Sequence, residues 1–233
     1  LGVLAHLRRE HGDRVRLHEG TRVLRVGPGR VETEHGVVSA GVVLVAVDGR
    51  LEVLLPQVAE VVRTARLQML ATAPLAGAEA ERLAERVPRG AYLRWGYDYG
   101  QVSHGADGPR LLVGGGRDAG PAEAEWTTSE QPTAPVQAHV DRVAELLLGR
   151  RLAPGEVTHR WGASVGYTAP EHAGRALCGL VDERVAAVGG YSGTGNLVGP
   201  VAARAAVRLL LDGERPPSCF TSLETRPDRD HGH

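Results

Sequence analysis

The sequence contains no lysine and no isoleucine, and all 27 of its basic residues are arginines. That bias reads as a GC-rich coding sequence and carries no functional meaning. Against 28 acidic residues the formal net charge is -1, which argues against a nucleic-acid footprint. Cysteine is scarce. Cys178 and Cys219 lie far apart without CxxC spacing and support neither a disulfide framework nor a zinc site, so a reducing cytoplasm is the simplest compartment. No apolar run approaches the roughly 20 residues that a membrane span needs, and no signal peptide is visible. His104, His159 and His172 lack the HxxxH spacing or carboxylate companion of a metal site, and no metal is expected. The GxGxxG dinucleotide fingerprint is missing too. Gly114-Gly115-Gly116 does not open a helix, because Pro121 and the segment 123–126 intervene.

What the chain does have is an unusual turn near its C-terminal end. The apolar run 185–188 leads into Gly189-Gly190-Tyr191-Ser192-Gly193-Thr194-Gly195-Asn196, and the apolar helical pattern 197–211 follows at once. Glycines let the backbone take positive φ and approach a bound molecule closely. The helix N-terminus adds free N–H donors and a partial positive charge. Such a turn suits a phosphate, a carboxylate or an electron-rich heterocycle. The plainer alternative is a strand–turn–helix whose glycines serve geometry alone.

Residues 1–11 place Val3, Leu4 and Leu7 on one helical face, stopped by Gly12 and Asp13. The runs 15–17, 23–26, 31–33 and 42–47 read as strands, with Gly27-Pro28-Gly29 as a hairpin turn. The run 42–47 does not alternate, which suits a strand buried on both faces of a parallel sheet. Beyond residue 61 the pattern changes: a long strand at 61–72, a polar helix at 76–86, and strands at 92–95, 99–103 and 111–113. Residues 114–135 form a long acidic loop, 136–148 a helix stopped by Gly149, and 156–168 a further strand. The tail from Pro216 is polar and reads as partly disordered. No internal repeat is present.

Three blocks carry a family resemblance. The segment Trp161-Gly162…Gly166-Tyr167-Thr168…Gly189-Gly190-Tyr191-Ser192-Gly193-Thr194-Gly195 resembles the C-terminal part of FAD-dependent amine and D-amino-acid oxidoreductases, a group with glycine and sarcosine oxidases among its members. Thr21-Arg22-Val23…Val31-Glu32-Thr33-Glu34-His35-Gly36…Ala40…Val42-Val43-Leu44-Val45-Ala46 is similar to that group's middle region. Arg110-Leu111-Leu112-Val113-Gly114-Gly115-Gly116-Arg117 is similar to its strand ending in a glycine pair. The blocks occur in family order over most of the chain. With no GxGxxG unit and a start at Leu1, the sequence is expected to be the C-terminal part, or a truncated form, of a longer flavoprotein.

The resemblance implies a mixed α/β fold: an incomplete FAD-binding Rossmann-like half at 1–60 and 150–215, a mainly antiparallel substrate domain at 61–149, and a tail at 216–233. It implies non-covalent FAD, with Gly190, Ser192, Gly193, Thr194, Gly195 and Asn196 beside the isoalloxazine. Val23 would read the adenine edge through its backbone, and Ala46 would lie near the pyrophosphate. Plain core packing is the equal alternative for both. Asp48 stands where the family has a neutral residue. A carboxylate beside a diphosphate is repulsive, so Asp48 should point away or weaken the site. Arg94, Tyr97 and Arg117 are candidate substrate contacts, an arginine fork being suited to a carboxylate. The Lys and His that sarcosine-oxidase-like members carry here are Leu197 and Thr194 in this chain.

The implied chemistry is hydride loss from a neutral amine or amino acid to flavin N5, followed by hydrolysis of the imine, with oxygen or another acceptor reoxidising the flavin. No catalytic base is identifiable. Two other readings stand beside this one: a non-catalytic remnant or binding subunit of the same fold, and an unrelated α/β nucleotide-binding module. The substrate is a small molecule of unassigned identity, and the oligomeric state is open.

Overall fold

The computed structural model describes residues 2–88, 90–93, 98–121, 123–172 and 174–223. The fold is mixed α/β, built on three sheets. Strands β1 (Val23–Gly27), β2 (Arg30–Thr33) and β3 (Gly36–Ser39) form an antiparallel meander. Gly29, at φ +69°, makes the β1–β2 turn. Residues 15–17 are not a strand: the pattern alternates, but among the described residues no neighbouring strand supplies a ladder. Residues 2–11 form helix α1 (Gly2–His11), none of whose residues is buried.

The second sheet has the order β10-β11-β4, from β4 (Val43–Val45), β10 (Leu177–Asp182) and β11 (Val185–Gly189). Strands β4 and β11 are parallel, with Val43, Leu44 and Val45 opposite Val185, Ala186 and Ala187. The two segments are far apart in the sequence, yet share a sheet as expected. Every residue of β11 is buried. Ala186 and Val188 pack against Ala202 and Ala206 of helix α5 (Gly195–Asp212), while Val185 and Ala187 meet Leu51, Val58 and Val61 on the other side. A strand covered on both faces reads as a continuous apolar run. Strand β4 differs from the expectation. It is shorter than 42–47 and only partly buried, because it lies at the edge of its sheet.

The third sheet is antiparallel, in the order β6-β7-β8-β5-β9. Its members are β5 (Val62–Thr72), β6 (Ala91–Leu93), β7 (Asp98–Gly105), β8 (Gly108–Gly115) and β9 (Val157–Thr168). The long β5 pairs with β9 from Val62↔Thr168 to Thr72↔Val157. Helix α4 (Ala134–Leu148) covers one face, placing Val136, Val140, Val143 and Leu147 on Leu70, Leu111 and Val113. Leu83 of helix α3 (Gly77–Arg86) closes that core. Gly149 and Gly213, at φ +73° and +70°, end α4 and α5 in the left-handed conformation that releases a helix. The short helix α2 (Leu51–Leu54) leads from β4 to β5.

Part of the C-terminal tail is built into the fold. Phe220 is buried, and Thr221 runs parallel to Leu177, exchanging hydrogen bonds with Ala176 and Cys178. This covers the outer edge of β10. No helix of the described residues is long and apolar enough to cross a membrane.

Candidate functional site

Chain segments from three parts of the sequence converge on Asp48. This residue leaves β4 at φ +43°, a conformation that costs a non-glycine residue free energy and persists where surroundings compensate it. The compensation is visible. Oδ1 accepts hydrogen bonds from the N–H groups of Gly190 (2.8 Å) and Tyr191 (3.3 Å), and Oδ2 accepts one from Gly166 (2.9 Å). One carboxylate thus ties the end of β4 to β9 and to the glycine turn. The Asp48 charge faces these backbone donors. Replacing it by alanine should cost about 3 kcal/mol, since charge-assisted hydrogen bonds contribute roughly 1.5–3 kcal/mol each and do not add fully. Chemical denaturation of Asp48→Ala measures this, and a loss below about 0.5 kcal/mol would refute the role.

Four of the glycine turn's N–H donors are already bonded, one of them within the turn itself. Besides the Gly190 and Tyr191 N–H groups held by Asp48, Ser192 N–H bonds to Gly166 O at 2.9 Å and Thr194 N–H to Tyr191 O at 2.9 Å. Ser192 has φ +51°, and its hydroxyl accepts from Thr168 N–H at 3.3 Å. Gly190 is glycine for packing: at φ +70° an added Cβ would lie 2.8 Å from Thr168 Cγ2 and 2.9 Å from Val62 Cγ2. The N–H groups of Gly193, Gly195 and Asn196 make no hydrogen bond among the described residues, and Thr194 gives α5 no side-chain cap. These three donors and the positive end of α5 form the open part of the turn. The Tyr191 ring lies against the first turn of α5, within 3.3 Å of where a Gly195 Cβ would sit. Burial, then the Asp48 charge, pushes its phenol up to about 12.

Beside the turn lies the sheet face opposite α4. Tyr191 bridges Tyr167 at the end of β9. Arg63 is opposite Tyr167 on β5. The Arg117 guanidinium stacks 4.5 Å from the Tyr167 ring centroid and 5.6 Å from that of Trp126, and Arg63 lies 4.9 Å from Trp126. Trp126 meets Tyr167 edge-on at 5.8 Å. Farther along the same face Tyr99 lies over Gly114, where any Cβ would fall within 2.6 Å of its ring. Tyr92 follows at 6.4 Å. Burial raises the Tyr99 phenol above its ordinary value, with Tyr167 and Tyr92 adding to the effect. Aromatic rings carrying flat guanidinium groups form a surface suited to a carboxylate with an apolar body.

The loop that presents Trp126 is fixed by a buried ion pair. Arg66 Nε and Nη2 donate to Glu125 Oε2 and Oε1 at 2.9 and 2.8 Å, and Gln68 adds a further bond at 2.9 Å. Burial alone would push the Glu125 carboxyl up. The bonds from Arg66 and Gln68 outweigh it and hold the group below the ordinary carboxylate range.

The structure therefore gathers Gly190, Ser192, Gly193, Thr194, Gly195 and Asn196 at one point with Asp48, and sets Arg117 on the adjoining face. Ala46 is exposed just past β4. Val23 is half-buried at the start of the separate β1–β3 sheet, on a cleft of about 500 Å³ with Thr21, Val31 and Val38. Among the described residues no hydrogen bond joins Val23 to the glycine turn. Arg94 and Tyr97 lie outside the described residues. Sequence reasoning missed Asp48 as the organiser of the turn, the stacking of Arg117, and the buried pair of Asp98 with His139. Asp48 was visible only as an anomaly.

Comparison with known proteins is consistent with this geometry. A family model described as "FAD dependent oxidoreductase" matches residues 2–209. A Rhizobium meliloti (strain 1021) protein, "Probable oxidoreductase OrdL", is 34% identical over 187 residues, covering 77% of this chain and 39% of that protein. Glycine oxidase from Bacillus cereus ATCC 14579 superposes with a TM-score of 0.59 at 14% identity, over 85% of this chain and 51% of that one. L-proline dehydrogenase from P. horikoshii gives 0.56 at 15% identity, over 93% and 56%. The two structures share the fold. The chain spans about half the length of the structures it matches, and less of the curated relative.

Proposed function

Because the chain belongs to the FAD-dependent oxidoreductases, we propose that it forms the ring-end and substrate-holding part of an enzyme oxidising an amine or amino acid. The observation that carries this reading is the juxtaposition of two surfaces. The turn that carries the open donors of Gly193, Gly195 and Asn196 is joined to the Arg117, Trp126 and Tyr167 face through the Tyr167–Tyr191 bridge. The division near residue 61 belongs to the same proposal, whereas β9, assigned to the 150–215 half, pairs along its length with β5 of the other half, so the second boundary is moved beyond Thr168.

The residues present fit one end of FAD. Free N–H groups at a helix N-terminus suit the electron-rich edge of the ring and stabilise negative charge there. Among the described residues nothing comparable fits the diphosphate, because Ala46 offers no charge and Asp48 is already bonded. When bound, the flavin supplies the hydride acceptor. The chain's own part is orientation: Arg117 holds the substrate's carboxylate, and Tyr99, Trp126 and Tyr167 exclude water from its apolar side. Among the described residues no side chain of the site is placed as a general base, and oxidation of a neutral amine does not demand one.

The test is the visible spectrum of the full-length protein loaded with FAD. Addition of amines and amino acids in turn should bleach the oxidised flavin band with at least one of them. A protein that binds FAD yet keeps the band with every compound would favour the second reading, a non-catalytic form of the fold. The use of two turn donors, Gly190 and Tyr191, by Asp48 is the observation on that side.

A further inference from the structure

We propose that Asp98 and His139 are positioning residues that aim Arg117 at the carboxylate of the substrate. The proposal rests on the reading of Arg117 as the carboxylate anchor given above. Its starting point is where β8 ends. Gly115 still pairs with Gln68 of β5, but beyond it the chain peels away, and Arg66 N–H of β5 bonds to Glu125 O instead at 2.7 Å. Arg117 is the second residue after this departure, so its direction depends on the backbone at Gly116.

That backbone is held from the helix-covered side of the sheet. Gly116 has φ +67°, and its N–H donates to Asp98 Oδ1 at 2.9 Å. The His139 ring, from α4, places Nε2 3.0 Å from Oδ1 and 3.1 Å from Oδ2 of the same carboxylate. It also packs closely on the glycine, since an added Cβ at 116 would sit 2.8 Å from His139 Cδ2. Asp98 is 1% exposed. A buried carboxylate bonded both to a turn N–H and to an imidazole fixes the turn far better than a solvated loop could. The chain leaves this latch, and the Arg117 guanidinium comes to lie on Tyr167 and Trp126. An arginine fork captures a carboxylate bidentately only when its plane is set, whereas a lysine acts as a point charge.

The experiment uses the full-length protein, with propionate as probe and sodium chloride as the ionic-strength control. Trp126 reports occupancy through its emission, and Trp126→Phe identifies its share of the signal. Arg117→Leu should abolish the saturable response. His139→Leu should weaken propionate binding about tenfold, and His139→Gln, whose amide can still donate to Asp98, should restore most of it. In an Arg117→Lys background, His139→Leu should cause no further loss, because a point charge does not need the aimed fork. A purely structural histidine would not show that dependence. If Arg117→Leu binds propionate like the parent, the anchor reading itself fails. If Arg117→Leu loses binding while folded His139→Leu keeps parental affinity, the anchor stands and the positioning proposal is overturned. It is also overturned if neither His139 variant folds, or if the loss is undiminished in the lysine background.

Discussion

Purified by itself, the 233-residue chain is expected to be colourless and to aggregate. FAD affinity is shared between the ring end and the diphosphate, and the sequence contains no strand–GxGxxG–helix unit to hold the latter. The turn at 189–196 offers open donors only from Gly193, Gly195 and Asn196. Losing several charge-assisted hydrogen bonds at roughly 1.5–3 kcal/mol each lowers affinity by orders of magnitude. The surface points the same way. Strand β4 lies at the edge of its sheet, and among the described residues no strand pairs with its outer side. On α5, Leu197 is 80% exposed, Leu211 67% and Val201 54%. An unpaired parallel edge and exposed apolar side chains both favour association. Gel filtration after incubation with excess FAD measures both effects. Yellow, monodisperse protein that keeps its flavin would sink the expectation and require a diphosphate site elsewhere in the chain.

Much of this architecture is legible in the sequence where local pattern and tertiary role agree. The apolar run that becomes β11 is continuous because Ala186 and Val188 face α5 while Val185 and Ala187 face Leu51 and Val58. Helix α4 ends at Gly149 because only a residue tolerant of φ +73° closes it there. Strand β10 escaped notice. It is short, contains Gly179, and owes its ladder to a hairpin with β11 and to Thr221, forty-odd residues onward. The segment 15–17 fails in the opposite sense: it alternates as a strand should but has no neighbour.

The candidate site divides along the same line. Glycines 190, 193 and 195 mark the turn in the sequence, yet Gly190 serves packing and Gly193 lies in the open part. What makes the turn a defined object is Asp48, 142 residues before Gly190 and 118 before Gly166. No periodicity links such positions. Asp98 and His139 are likewise 41 residues apart on different elements, so their meeting is a product of the fold.

Loss of Glu125 is expected to be the most damaging single change to the fold. Arg66 and Glu125 are 6% and 2% exposed and joined by two parallel hydrogen bonds. Arg66 further donates to Gln131 O and Ala124 O, and Gln68 connects the carboxylate to Thr133 and Gln137. Through these bonds β5 holds the loop that presents Trp126. Glu125→Ala leaves a buried guanidinium without its counter-charge, which costs about 3–5 kcal/mol. The double replacement Arg66→Met with Glu125→Leu should recover most of that loss, because it removes both charges together. Acid has a related effect. The folded-state value of Glu125 is depressed below its ordinary 4.5, so its contribution is complete above that value and is lost as the pH falls through the folded one. The parent should therefore lose stability steeply in this range, and Glu125→Gln, already weaker at neutral pH, should lose less on acidification. Urea denaturation at neutral pH and at acidic steps below pH 4.5 measures both. A Glu125→Ala protein within about 0.5 kcal/mol of the parent, the range of ordinary surface changes, would show that the pair does not hold the loop.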